Sequence, residues 1–204
     1  MKQTIKVCGQ TDPEIIRLCI EQGARLIGFI INYPKSPRSI SIEQLKSLTK
    51  NIPDNIKKVA VMVNPSIEQV KEISNYCNAV QLHGDETEGF IQQIKKETSL
   101  EVMKAIKVKE KKDLDQAKLF PSANIILYDT PSMGQTGEAF DFDLLKSLKN
   151  KNFFLAGKIS KDNVKSALRY TNNIDVNSSL ETERGIKDLQ KIKEFFNQIK
   201  SYEN

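Results

Sequence analysis

The architecture of this chain is clearest in the segment Ile125-Ile126-Leu127-Tyr128-Asp129-Thr130-Pro131-Ser132-Met133-Gly134-Gln135-Thr136-Gly137-Glu138-Ala139-Phe140-Asp141. An apolar run with the length of a strand ends in the Asp129 carboxylate, and a polar loop with two glycines follows. Strands buried on both faces of a parallel sheet read as continuous apolar runs, and ligands bind beyond their carboxyl ends. The segment therefore predicts a strand that carries an active-site acid. Taken alone, a turn role for Asp129 is an equal alternative, because aspartate is common in turns.

The same order of strand, helix cap and helix recurs along the chain. Ser41 and Gln44 have capping-box spacing at the start of a helix, and the segment 64–69 repeats this helix-start chemistry. Gly23 is expected to end the first helix. Buried strands are predicted at residues 5–8, 26–31, 59–63, 79–82, 101–106, 125–129, 153–156 and 174–176.

Two later helices complete this pattern of elements. A highly charged helix is expected over residues 109–119. The last helix is expected to carry the apolar residues Ile186, Leu189, Ile192 and Phe196. Eight strand–helix units in 204 residues predict an α/β chain with one domain, residues 1–204, folded as a single-domain (β/α)8 TIM barrel. An open doubly wound sheet is the alternative, but the glycine fingerprint that such sheets often carry after the first strand is absent.

Composition narrows the class of protein. Apolar residues make up 39% and charged residues 28%, and the net charge of +5 arises from lysines that alternate with acidic residues. That pattern is typical of solvated helix faces and argues against a nucleic-acid partner, although a positive field favours a small anionic substrate. We expect a cytoplasmic protein with no membrane partner, because no signal peptide or long apolar run is present. Three cysteines and a single histidine have no metal-ligand spacing, so no metal is expected.

In a barrel, the residues that follow the strands converge. They are Cys8, the loop around Arg38, His83, Asp129, Gly157 and residues 177–179. Singly, each has a structural explanation: a buried cysteine is usually a small apolar residue, a lone histidine usually a hydrogen-bonded structural group, and a loop arginine can be solvated. Together, a thiol and a carboxyl group on opposite sides of one pocket form a pair of proton-transfer groups beside anion-binding groups.

Motifs spread over the whole chain resemble those of the phosphoribosylanthranilate isomerase family. They are Lys6-Val7-Cys8-Gly9, Gly28-Phe29 with Pro34-Lys35-Ser36-Pro37-Arg38, Val63-Asn64-Pro65, Val80-Gln81-Leu82-His83-Gly84, Asp129-Thr130 with Thr136-Gly137 and Phe140-Asp141, and Asp175-Val176 with Ser178. Their order and spacing match from end to end. The resemblance implies a (β/α)8 barrel of tryptophan biosynthesis that performs an Amadori rearrangement of a phosphosugar-anthranilate substrate without a cofactor.

The resemblance also implies roles for individual residues. Asp129 would be the general acid that protonates the furanose ring oxygen, and Cys8 the general base that takes the proton from C2 of the ribose. A thiol, whose ordinary pKa is about 8.5, suits the removal of a proton from carbon. Arg38 would pair with the anthranilate carboxylate. Further substrate contacts are implied for His83, Gly134, Gly137, Gly157, Lys158, Asp175, Ser178 and Ser179.

Departures from the family pattern fall together in the loops that hold phosphate. They are Gln135 for the second of two paired glycines, Glu138 for a lysine, Lys158 for a glycine, and Asn177-Ser178-Ser179 for Ser-Ser-Gly. One interpretation is an isomerase in which Lys158 supplies charge to a reshaped phosphate site. Another is a weakly active or non-catalytic barrel that binds an anionic phosphosugar-like metabolite. Retention of Cys8, Arg38 and Asp129 favours the isomerase; a different phosphosugar isomerase or epimerase is less favoured, and both a monomer and a homodimer remain open.

Overall fold

The computed structural model of this chain describes residues 3–131 and 141–202. The described part contains eleven strands, named here in chain order. They are β1 (Thr4–Val7), β2 (Leu26–Ile31), β3 (Ser39–Ile40), β4 (Lys57–Met62), β5 (Ala79–Leu82), β6 (Glu101–Lys107), β7 (Ile125–Asp129), β8 (Phe154–Leu155), β9 (Asn173–Val176), β10 (Glu181–Glu183) and β11 (Ile186–Lys187).

Eight of these strands close into a parallel barrel. The hydrogen-bonded order is β1-β2-β4-β5-β6-β7-β8-β9, and β9 returns to pair with β1. The two-residue β3 pairs with the carboxyl end of β2, and β10 and β11 form a separate antiparallel hairpin. All eight predicted strands are present, with ends within two residues of those expected. The predicted (β/α)8 TIM-barrel fold is confirmed.

Helices alternate with the barrel strands. The α-helices are α1 (Pro13–Gln22), α2 (Ile42–Thr49), α3 (Ile67–Ile73), α4 (Glu88–Glu97), α5 (Val164–Ala167) and α6 (Leu189–Lys200). Complete capping boxes start α2 at Ser41 and α3 at Ser66, and Gly23 ends α1 with a φ of 123°, as predicted. None of the helices in the described part of the chain combines the length and the apolar character that a membrane crossing needs.

Two of the expected helices differ in type from an α-helix. Lys111–Leu119 and Phe142–Ser147 are 3₁₀ helices. The first buries a single side chain, Leu114, and most of the stability of an α-helix in a protein comes from packing a whole apolar face. With one buried residue and many charges, the segment buries too little apolar surface to stabilise an α-helix.

The prediction that Ile186 belongs to the last helix is wrong. Ile186 lies in β11 and is 57% exposed, whereas α6 begins at Leu189. Gly185 turns the chain between β10 and β11 with a φ of 96°, and Asp188 caps the helix by accepting a hydrogen bond from the Lys191 amide. Because of this turn and this cap, α6 begins at Leu189 and does not include Ile186.

The barrel interior has an apolar floor beneath a polar layer. Its apolar cluster is Leu26, Val59, Ala79, Met103, Ala105, Leu127, Phe154 and Ala156. Side chains alternate between the two faces of a strand, so Leu127 and Asp129 share the inner face of β7, and Ala79 and Gln81 share that of β5. The outward side chains, such as Val7 and Phe29, pack in a larger core that includes residues of the helices. The polar layer therefore faces the carboxyl ends of the strands.

Candidate active site

One pocket at the carboxyl ends of the strands collects most of the predicted site residues. It is lined by Cys8, Arg38, His83, Asp129, Gly157, Lys158, Asp175 and Ser178, together with residues that include Tyr33, Ser36, Gln81 and Asn177. Ser179 is the predicted site residue of the described chain that does not line it. The predicted contacts Gly134 and Gly137 lie outside the described residues.

Cys8 directly follows β1, and its thiol is buried. Gly28 on β2 leaves room for it, because a Cβ there would lie 3.1 Å from Cys8 Sγ and 3.0 Å from Lys6 Nζ. Burial raises the pKa of the Cys8 thiol, while the nearby Lys6 ammonium acts in the opposite direction. The unliganded thiol therefore holds its proton more firmly than its ordinary pKa of about 8.5 implies.

Below Cys8, Lys6 and Asp175 form a buried ion pair. The two residues are register partners on β1 and β9, and Lys6 Nζ donates to Asp175 Oδ2 at 2.8 Å. Burial alone would lower the pKa of Lys6, but attraction by Asp175 and Cys8 outweighs it and raises that pKa. Asp175 was expected to contact substrate; here one of its oxygens holds Lys6. Lys6 itself was not predicted as a site residue.

Asp129, at the end of β7, accepts a hydrogen bond on one carboxyl oxygen and lies near His83 with the other. Asp129 Oδ1 accepts a hydrogen bond from the Thr130 amide at 2.7 Å, and Oδ2 lies 3.3 Å from His83 Nε2. Gln81 Nε2 lies 3.4 Å from His83 Nδ1. When Gln81 donates to Nδ1, the neutral imidazole carries its hydrogen on Nε2, on the side of Asp129.

Gly157 is required beside Asp129 for two reasons. Its φ of 86° lies in the left-handed region, which glycine adopts without strain. A Cβ at this position would lie 3.0 Å from Asp129 Oδ1 and 2.6 Å from Thr130 Cγ2. The glycine that was predicted as a substrate contact thus also gives the carboxyl group its space.

Arg38 is buried and is held by an acid that sequence reasoning missed. Its Nε and Nη2 donate to the two carboxylate oxygens of Glu181, at 2.6 and 2.5 Å. Lys187 Nζ and the Gly185 amide also donate to Glu181, at 2.7 and 3.1 Å. Burial opposes ionisation of Glu181, but these cations and donors lower its pKa to about 2. The bidentate pair occupies two of the five N–H donors of a guanidinium.

The loops after β8 and β9 carry the expected departures from the family pattern that fall within the described residues, whereas Gln135 and Glu138 lie outside them. Lys158 lines the pocket and has a φ of 58°, so it adopts a backbone conformation typical of the glycine that it replaces. Asn163 Nδ2 donates to the Lys158 carbonyl at 2.9 Å and supports this turn. Ser178 lines the pocket, whereas the Ser179 hydroxyl donates to the Ile159 carbonyl and so joins the two loops.

Comparison with known protein sequences gives a consistent match over the whole chain. A family model described as N-(5'-phosphoribosyl)anthranilate (PRA) isomerase matches residues 5–198. A relative from Sulfurihydrogenibium, named N-(5'-phosphoribosyl)anthranilate isomerase, is 38% identical over 205 residues, which cover 97% of this chain and 98% of the relative.

Solved structures show the same similarity in three dimensions. A phosphoribosyl anthranilate isomerase in complex with reduced 1-(o-carboxyphenylamino)-1-deoxyribulose 5-phosphate matches with a TM-score of 0.84 at 31% identity, covering 98% of this chain and 100% of that one. A structure of monomers generated from the dimeric enzyme of Thermotoga maritima matches with a TM-score of 0.85 at 32% identity and the same coverage. The similarity therefore extends over nearly the full length of each chain.

Proposed function

Since the chain belongs to the N-(5'-phosphoribosyl)anthranilate isomerase family, we propose that Cys8 and Asp129 perform the proton transfers of its reaction. Membership makes the protein an isomerase of tryptophan biosynthesis. The observation that carries the proposal is the shared pocket, which Cys8 enters from the end of β1 and Asp129 from the end of β7. A base and an acid that face one cavity can act on two atoms of one substrate.

The proposed reaction is an Amadori rearrangement of N-(5'-phosphoribosyl)anthranilate. Asp129 donates a proton to the ribose ring oxygen, the bond between C1 and that oxygen breaks, and the nitrogen lone pair forms a Schiff base with C1. The Cys8 thiolate then removes the proton from C2, and the electron pair of that bond forms the enolamine. Tautomerisation gives 1-(2-carboxyphenylamino)-1-deoxyribulose 5-phosphate, which has the same atoms as the substrate, so the reaction needs no cofactor.

The surroundings of Asp129 fix the orientation of the carboxyl group that is the proposed acid. Thr130 binds Oδ1 through its amide, which leaves Oδ2 on the side of His83 and the pocket. His83 Nε2 lies 3.3 Å from Oδ2 and borders the carboxyl group on that side. Proton transfer requires the donor atom to stay within hydrogen-bond reach of the ring oxygen, so this restraint favours the reaction.

Arg38 is the proposed partner of the anthranilate carboxylate. Glu181 holds two of its N–H groups, so the guanidinium is fixed in place while the remaining donors are available to an anion. The planar fork of arginine suits a planar carboxylate. We propose that Lys158 and Ser178, which line the pocket from the loops after β8 and β9, take the phosphate end.

A weakly active or non-catalytic barrel that binds an anionic phosphosugar-like metabolite is the second candidate. The observation that favours it is the state of the phosphate loops, where Ser179 bonds to Ile159 and a lysine replaces a glycine at position 158. This candidate predicts binding of the substrate without turnover.

Steady-state kinetics with freshly generated phosphoribosylanthranilate, followed by loss of anthranilate-type fluorescence, test the proposal. Cys8→Ala and Asp129→Asn are each expected to lower kcat by at least about 100-fold, because general acid and base groups contribute about 10²–10⁴ in rate. Cys77→Ala is the matched control, because Cys77 is a buried cysteine that does not line the pocket, and its kcat should stay at the wild-type value. A normal kcat in either active-site variant would refute the assigned role, and binding without turnover by the wild-type protein would favour the second candidate.

A further inference from the structure

Lys6 is an unusual residue for the inside of a barrel strand. Its side chain is fully buried although it carries a charge, and its neighbours along the strand, Ile5 and Val7, are apolar. A buried ammonium is destabilising unless it is paired, and replacing such a pair with apolar residues is often neutral or stabilising. A contribution to stability therefore does not explain the pair of Lys6 with Asp175. The pair lies beneath the pocket, which suggests that it has a role in the reaction.

The Lys6 ammonium and the Cys8 thiol converge on the same point. Both Nζ and Sγ lie within 3.1 Å of the place where a Cβ of residue 28 would stand, and only a glycine there admits both groups. The charge of the Lys6 ammonium acts on the sulfur and opposes the rise that burial causes in the pKa of the thiol. Lys6 and Cys8 are two residues apart on one strand, so both face the barrel interior.

The other two cysteines, which a more weakly acting lysine also influences, show how strongly burial acts on a thiol in this fold. Burial raises the pKa of Cys19 and of Cys77 to about 12. Burial raises the pKa of Cys8 as well, but there the charge of Lys6 opposes the rise, and the carboxylate of Asp175 partly cancels the effect of Lys6. The two charged groups beneath the pocket, Lys6 and Asp175, therefore act on the pKa of Cys8 in opposite directions.

We propose that Lys6 is a positioning residue for the isomerisation, which stabilises the Cys8 thiolate from beneath the pocket and whose effect Asp175 limits. The inference rests on the proposed role of Cys8 as the base. Cys8 must first lose its own proton to solvent; it then takes the proton from C2 and is a thiol again. Lys6 keeps its proton throughout and touches no reacting atom of the substrate.

Other charged groups also face the pocket around Cys8. They are Arg38, His83, Asp129, Lys158, Asp175 and Lys187. Arg38 and Lys187 are bound to Glu181, and Lys187 also donates to Asn177, so much of their charge is already compensated. Lys6 is the cation with the largest effect in lowering the pKa of Cys8.

The rate at which iodoacetamide alkylates Cys8 at pH 8 reports its thiolate fraction, and mass spectrometry of the Cys8 peptide measures it without substrate. Lys6→Met should slow this alkylation about tenfold or more, since tenfold corresponds to one pKa unit. Asp175→Asn should accelerate it several-fold, because the charge of Lys6 then acts undiminished. The variants are matched in size to the natural side chains, and labelling of Cys77 is the internal reference.

Opposite signs separate an electrostatic role from a structural one. Loosening of the barrel would expose the sulfur and accelerate labelling in both variants, and that result, or equal rates in all three proteins, would overturn the proposal. If Lys6→Met does not fold because Asp175 is left unpaired, the double variant Lys6→Met/Asp175→Asn removes both charges. It should be labelled more slowly than Asp175→Asn, and equal labelling would overturn the proposal.

The failure of this inference differs from the failure of the proposed function. Full turnover by Cys8→Ala would remove Cys8 as the base, whatever the labelling rates are. With Cys8 established as the base, the rising limb of kcat/KM against pH should move about one unit higher in Lys6→Met. A limb that does not move would overturn the role of Lys6 alone.

Discussion

At the scale of single residues, Lys158 adopts a left-handed backbone conformation that usually belongs to glycine. Lys158 has a φ of 58° at a position where the resemblance predicts a glycine. A residue other than glycine in the left-handed region costs about 1–2 kcal/mol. The chain tolerates this strain and gains an ammonium on the wall of the pocket, next to Gly157.

Replacement of Lys158 separates strain from binding. Lys158→Gly should raise the free energy of unfolding by about 0.5 kcal/mol, since relief of strain exceeds the extra entropy that glycine loses on folding. The same change should raise KM for phosphoribosylanthranilate several-fold and leave kcat near its wild-type value. Urea unfolding and steady-state kinetics measure the two effects. Lys158→Asn, which also tolerates a positive φ, is the control without charge, and an unchanged KM in both variants would exclude a phosphate contact.

The burial of individual charged side chains could be predicted only in part from the sequence. Lys6 interrupts a short apolar strand, and a charge inside a buried strand requires a partner. That signal was present, but the partner depends on the register that places Lys6 beside Asp175. For Glu181 no signal existed, because it stands in the polar run Glu181-Thr182-Glu183-Arg184, which reads as a solvated loop.

At the scale of elements, the hairpin of β10 and β11 holds the loop between β2 and β3, which carries Arg38. Glu181 begins β10 and binds Arg38, while Lys187 of β11 binds Glu181 and the Asn177 carbonyl. The hairpin thus connects the end of β9 to the loop that carries Arg38. Its tight turn at Gly185 contacts Pro37, where a Cβ would lie 3.3 Å from the proline ring.

Loss of the Glu181 carboxylate should lower the stability of the protein in a way that depends on pH. Glu181→Gln leaves two buried cations without their counter-charge and should lower the free energy of unfolding at pH 7 by about 3 kcal/mol. The pKa of Glu181 is lowered to about 2, so its stabilising effect is present above its ordinary pKa of 4.5 and is lost as pH falls towards 2. Urea unfolding from pH 7 to pH 3 should show the difference between the two proteins shrinking with acid. A difference that stays constant over this range would mean that the charge of Glu181 is not responsible.

Elements with a local signal were predictable, and elements without one were not. The capping boxes at Ser41 and Ser66 marked the starts of α2 and α3, because each is a short-range exchange of hydrogen bonds. The 3₁₀ form of Lys111–Leu119 and the hairpin before α6 were missed. The first depends on how little apolar surface the segment buries, and the second on a turn whose strands pair only with each other.

For the whole molecule, the alternation of apolar strands and capped helices was sufficient to predict the barrel. Closure brings residues from distant parts of the chain to one pocket, with Cys8 and Asp175 separated by almost the full chain length. The sequence therefore predicted that Cys8, Arg38, His83, Asp129 and Gly157 meet, because each of them follows or ends a strand. It did not predict their pairing, since Arg38, Asp175 and Ser179 have partners that only the closed barrel supplies.

The role of Cys8 as the base is best examined with phosphoribosylanthranilate that carries deuterium at C2 of the ribose. Release of that deuterium into water is followed in a single turnover by the wild-type protein and by Cys8→Ala, with Cys77→Ala alongside. We expect the wild type and Cys77→Ala to release the label as product forms, and Cys8→Ala to release it at least about 100-fold more slowly. Release by Cys8→Ala at the wild-type rate would show that another group removes the C2 proton.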